Sequence, residues 1–103
     1  MADFSPIHPG EVLLEEFMEP YGISRNRLAV ALCVPAQRIG QIVKGRRAVS
    51  VDTAMRLAKF FGTTPQFWLN LQQKYDLEVA RDNNLELQIE REVRTCKEMN
   101  ISI

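Results

Sequence analysis

Pro9, Pro20, Gly22, Ser24, Pro35, Gly45, Ser50, Gly62 and Pro65 cut this chain into short segments, and the apolar residues between the cuts recur three and four positions apart. That period buries one face of an α-helix, whereas the alternation of a half-buried strand is almost absent. The expected fold is therefore all-α. Pro9 suits the first position of a helix and Glu11 its positive end; Leu13 and Phe17 follow one turn apart, and Pro20 and Gly22 are expected to stop the run. Ser24 can cap a second helix with Leu28, Ala29 and Leu32 on its inner face, ending around Cys33. Pro35 opens a third, carrying Ile39, Ile42 and Val43, which Gly45 ends. Ser50 caps a fourth with Asp52 in its first turn and Ala54, Leu57, Ala58 and Phe61 inward, up to Gly62.

A fifth helix starts at Thr64 and Pro65, with Phe67, Trp68, Leu71 and Tyr75 on one side and Trp68 expected in the core. Asp76 is a candidate cap for a further short turn, and Asp82, Asn83 and Asn84 form a polar break. Beyond it Leu85, Ile89, Val93 and Cys96 make one stripe of an amphipathic helix. Residues 1–78 thus read as the folded domain and 79–103 as a C-terminal extension. The stripe either folds back on its own domain or meets a second subunit; the second reading is the more attractive, because five helices already close a small bundle.

At 103 residues and 46% hydrophobic content the chain holds one packed core. Charges interrupt every apolar run before it reaches the length of a membrane span, and the first ten residues lack a secretory signal, so a cytoplasmic protein is expected. Cys33 and Cys96 lack the paired spacing of a zinc site or redox dithiol and read as reduced thiols. His8, the one histidine, has no partner set for catalysis or metal binding and reads as the residue preceding a helix. No triad, glycine-rich phosphate loop or metal-ligand set is visible, so neither an enzyme nor a cofactor is expected.

A net charge of zero conceals a segregation. Residues 1–23 carry five acids (Asp3, Glu11, Glu15, Glu16, Glu19) and no base, whereas residues 24–62 carry eight bases against the single acid Asp52. The remainder is net −2. A basic block in mid-chain is a footprint for a phosphate backbone or a solvated Arg-rich surface, and charge alone does not separate the two.

Ser24 to Arg47 separates them better. Two short helices joined by about three residues must cross steeply, which needs a small residue at their approach. Ala29 is placed to be that residue, and Val34 to plug the turn. With Ile39 and Ile42 inward, the outer face near the start of the third helix shows Ala36, Gln37, Arg38 and Gln41, the side chains with which a helix entering the major groove reads bases. Arg25 and Arg27 in the first turn of the second helix, and Lys44, Arg46 and Arg47 after the third, are placed for flanking phosphates.

The segments HPGEVLLEEF from His8, EPYGIS from Glu19, LAVALCVPAQRIGQIVKGRR from Leu28, DTAMRLAKFFGT from Asp52 and PQFWLNLQQKYDL from Pro65 resemble, in this order, the HigA (also called VapI) antitoxin group of the phage-repressor-like helix-turn-helix regulators. The resemblance spans about residues 8–77. It implies a five-helix, lambda-repressor-like DNA-binding domain and a homodimer on a palindromic operator. It also implies repression of its own operon and neutralisation of a small ribosome-dependent ribonuclease toxin. It places base contacts at Gln37, Arg38 and Gln41 and phosphate contacts at Arg25 and Lys44. The turn position often held by glycine in such relatives is Cys33, a departure expected to tighten the turn or shift the third helix. A protein-interaction module, or a solitary regulator without a toxin, is the alternative: Glu11, Glu15, Glu16 and Glu19 would steer a basic partner, or form an ordinary solvated face.

Overall fold

The computed structural model describes residues 5–101; Asp3, counted above among the acids, lies outside them. The described residues form helices α1 (Pro9–Val12), a π-helix (Leu13–Met18), α2 (Glu19–Tyr21), α3 (Arg25–Leu32), α4 (Ala36–Val43), α5 (Val51–Phe61), α6 (Pro65–Asp82) and α7 (Leu85–Glu92), with no strand among them. Leu13, Leu28, Ile39, Ile42, Ala54, Leu57 and Trp68 are fully buried and form the centre of one apolar core.

The caps act as their sequence suggests. Ser24 Oγ accepts from the Arg27 amide at 3.2 Å, Ser50 Oγ from Thr53 at 3.3 Å and Thr64 Oγ1 from Phe67 at 3.1 Å, each satisfying a first-turn N–H that the helix itself leaves without a partner. Trp68 Nε1 donates to Thr63 Oγ1 at 2.8 Å, so the largest core side chain is buried with its polar atom satisfied.

Four expectations need correction. Pro20 does not stop the first helix, which runs from α1 through the π-helix to Tyr21 and ends only at Gly22, in the left-handed conformation (φ 64°). The Glu19 amide reaches back five residues to the Leu14 carbonyl, and this wider turn relieves the clash that a proline ring meets in a regular α-helix. Asp76 caps nothing: α6 continues through it to Asp82, and its carboxylate accepts from Gln72 Nε2 at 2.9 Å. Position 78, where the sequence pattern divides the chain, therefore lies inside a helix, and the backbone breaks at Asn83 and Asn84, within the polar break expected there. The C-terminal stripe is shorter than its period suggests, because α7 ends at Glu92, Val93 is extended (ψ 125°) and Cys96 is outside the helix. No buried residue anchors α7, and so short an exposed helix is easily lost without tertiary packing.

The radius of gyration, 17.9 Å, exceeds the roughly 13 Å of a compact chain this long, and every described residue from Arg81 onward is exposed. The end of α6 and all of α7 thus stand away from the core.

Cys33 ends α3 in the left-handed conformation (φ 56°, ψ 47°), which a side chain bearing Cβ tolerates poorly. Cys33→Gly is expected to raise stability by about 1 kcal/mol, read as a higher urea midpoint with an unchanged slope.

Candidate nucleic-acid interface

Helices α3 and α4 meet through a three-residue turn whose geometry follows from its sequence. The Val34 amide donates to the Ala29 carbonyl at 3.0 Å and the Cys33 amide to Val30 at 3.2 Å, closing α3 over the half-buried Val34 side chain. Ala29 is buried at the crossing, as the need for a small residue suggests. Pro35, at the N-cap of α4 rather than inside its first turn, offers its carbonyl to the Arg38 amide at 3.0 Å. Ile39, Ile42 and Val43 then face the core, which leaves Ala36 and Gln37 exposed and Arg38 and Gln41 half-buried.

The basic residues divide into two groups. Arg25, Arg27, Lys44, Arg46 and Arg47 are exposed, and none is paired with an acid among the described residues. Arg47 Nη1 donates to Gln41 Oε1 at 3.1 Å, joining the turn after α4 to its outer face. Arg38, by contrast, lies against α5: its Nη1 donates to Asp52 Oδ2 at 2.8 Å and its side chain is only 23% exposed. The same Oδ2 accepts from Arg56 Nε at 3.0 Å, and Arg56 Nη1 reaches the Leu32 carbonyl at 2.8 Å. One carboxylate therefore ties the end of α3, the start of α4 and the start of α5. The Arg56 and Arg38 hydrogen bonds hold the Asp52 carboxyl below its ordinary pKa.

A second arrangement fixes α4 from behind. His8 is buried at the N-cap of α1; its Nδ1 accepts from the Gly10 amide at 2.9 Å while Glu11 Oε2 accepts from the His8 amide at 3.1 Å. Its ring meets Tyr75 edge-on at 4.8 Å and lies beside the Arg47 carbonyl, against the left-handed Gly45. Gly10 packs its Cα directly on the main chain of Ile42 and Val43. Gln72, also buried, accepts from the Val49 amide at 2.8 Å and so holds the segment between α4 and α5. The sequence pattern does not disclose these supporting roles for His8, Gly10, Gln72 and Asp52. Only the four-residue spacing of Asp52 and Arg56 signals any of them.

Burial lowers the His8 pKa below its ordinary value of 6.5, against the raising effects of Glu11, Asp76 and the Arg47 carbonyl. Its capping bond also requires an unprotonated Nδ1. The unfolded chain then takes up this proton before the folded one does, so His8 supports stability fully above pH 6.5 and loses that contribution as the pH falls below it. Urea midpoints should drop as the pH is lowered through about 6.5, and His8→Asn, which keeps a capping acceptor but does not titrate, should flatten that drop.

Comparison with known proteins agrees with this architecture. The profile of the Helix-turn-helix family matches residues 14–68, from the π-helix to Trp68. Virulence-associated protein I of Dichelobacter nodosus is 46% identical over 83 residues, covering 81% of this chain and 77% of that protein. The structure of the Pseudomonas aeruginosa antitoxin HigA with the higBA promoter superposes with a TM-score of 0.81 at 46% identity, covering 86% of this chain and 96% of that one. Antitoxin GraA in complex with its operator gives 0.82 at 41% identity, covering 92% and 95%. The chain belongs to the helix-turn-helix family, in the group that holds virulence-associated protein I and the HigA antitoxins.

Proposed function

We propose that this chain is a non-enzymatic, cytoplasmic repressor that binds a palindromic operator in duplex DNA as a homodimer, represses its own operon and neutralises a small basic ribonuclease toxin. The observation that carries the DNA-binding part is the set of five exposed cations without acidic partners among the described residues, Arg25, Arg27, Lys44, Arg46 and Arg47, flanking a helix whose apolar face is fully committed to the core. Cations held by carboxylates are poor phosphate ligands, and no carboxylate of the described residues holds any of these. Relatives of the same fold are seen with a promoter and with an operator.

In this reading Ala36, Gln37, Arg38 and Gln41 face base edges, and these five cations contact phosphates. Leu85, Leu87, Ile89 and Val93, 42% to 61% exposed on a segment that stands off the core, supply apolar surface for the second subunit. The exposed Glu15, Glu16 and Glu19, none paired with a base among the described residues, supply charge complementary to a basic toxin.

An anisotropy titration tests this reading, with the DNA upstream of the gene set against a scrambled duplex of equal length. Gln37→Ala and Gln41→Ala are each expected to weaken binding to the upstream DNA by about 1–3 kcal/mol and to leave scrambled binding unchanged. A wild-type chain that holds both duplexes equally well is not an operator-binding repressor.

A further inference from the structure

The Arg38 pose is not the one a base-reading arginine needs. Its Nη1 is occupied by Asp52, and its Nε, buried from solvent, has no hydrogen-bond partner among the described residues. A guanidinium recognises guanine with two parallel N–H donors, and here one side of the fork is engaged by the protein while Nε is unsatisfied. The pose is therefore a resting one, in which a buried donor gains a partner only when the side chain moves.

We infer that Asp52 determines DNA specificity by holding Arg38 against α5 until an acceptor better than its own carboxylate is presented. This rests on the reading of α4 as the DNA-contacting helix. Three observations support it. The Asp52 side chain is 55% exposed, so its bond to Arg38 is partly solvated and weak enough to exchange. Asp52 is also the only acid from residue 24 to residue 62, in the stretch that carries eight bases, and an acid beside a DNA-binding surface opposes binding unless it serves another purpose. Finally, Arg56 Nη1 remains anchored on the Leu32 carbonyl, so the carboxylate keeps its place when Arg38 leaves.

Random DNA offers scattered phosphates, each of which must compete with a carboxylate already in contact. A guanine edge in register offers two acceptors in the plane of the guanidinium and wins that competition. Without Asp52, Arg38 is free to engage any phosphate.

The test is a double-mutant cycle by anisotropy on the full chain, with the upstream DNA and a scrambled duplex as probes. Asp52→Asn is expected to tighten scrambled binding about tenfold and upstream binding much less, so that discrimination falls. In the Arg38→Ala background the same substitution should tighten both duplexes equally, and Asp52→Glu should restore wild-type discrimination. Should Asp52→Asn loosen the fold, seen as a lowered thermal midpoint, Asp52→Ser is the second neutral variant. An equal change on both duplexes with Arg38 present, or an undiminished loss of discrimination without it, overturns the inference. Failure of the wild-type chain to discriminate at all overturns instead the reading of α4.

Discussion

Gly10→Ala is expected to cost about 3 kcal/mol of stability and to lower the thermal midpoint by roughly 10–25 °C. The new Cβ would fall on the Ile42 carbonyl and the Val43 Cα, and both belong to the main chain of α4. A clash with a flexible side chain is relieved by a rotamer change, but this one is relieved only by moving α1 away from α4. That movement also pulls His8 from Gly45 and the Arg47 carbonyl. Gly40, in the middle of α4, is the matched control: among the described residues nothing from outside the helix lies within 4 Å of its missing Cβ, and Gly40→Ala should leave stability unchanged or raise it by about 1 kcal/mol. Calorimetry of the two variants separates loss of a close approach from a general intolerance of alanine. Equal midpoints would show that α1 does not rest on α4 as described.

Affinity for upstream DNA is expected to fall about a thousandfold between roughly 50 and 200 mM monovalent salt. Neutralising about six phosphates gives a slope of log affinity on log salt near −5, from about −0.9 for each contact. The five exposed cations that no described acid pairs would supply this number with some to spare across the proposed dimer. Arg25→Ala and Lys44→Ala should each flatten the slope by about one unit for every phosphate left without its cation, with similar effects on upstream and scrambled DNA. A slope near zero would remove the phosphate assignment, whatever the base preferences proved to be.

Local signals in the sequence were legible, and contacts between distant segments were not. Ser24, Ser50 and Thr64 announced helix starts because a side-chain oxygen three residues before an orphan N–H acts within a single turn. Ala29, Val34 and Ile39 could be placed because a steep crossing of two short helices leaves little choice at its centre. The bond from Arg38 to Asp52 joins residues fourteen apart and depends on how α4 meets α5, so it left no trace in either helix alone. Gly10 reads as one more small residue until Ile42 is seen against it. Asp76 and Pro20 mislead for a common reason: each residue type has a strong preference at helix ends, and here a side-chain bond one turn back in the same helix, or a widened turn, overrides it. The final stripe is lost beyond Glu92 because periodicity records what a helix would bury, not whether anything is there to bury it against.

The π-helix has a consequence for how the first helical segment is keyed to the rest of the molecule. Leu13 and Met18 are both buried although five positions apart, an interval that in a regular α-helix would set them about 140° apart around the axis. The extra residue acts as a phase correction. It lets the front half address the back of α4 through Gly10 while the rear half brings Phe17 onto the rings of Phe61 and Trp68, each at 5.0 Å. A sequence one residue shorter here would wind more regularly, yet it could seat only one of those two halves at a time.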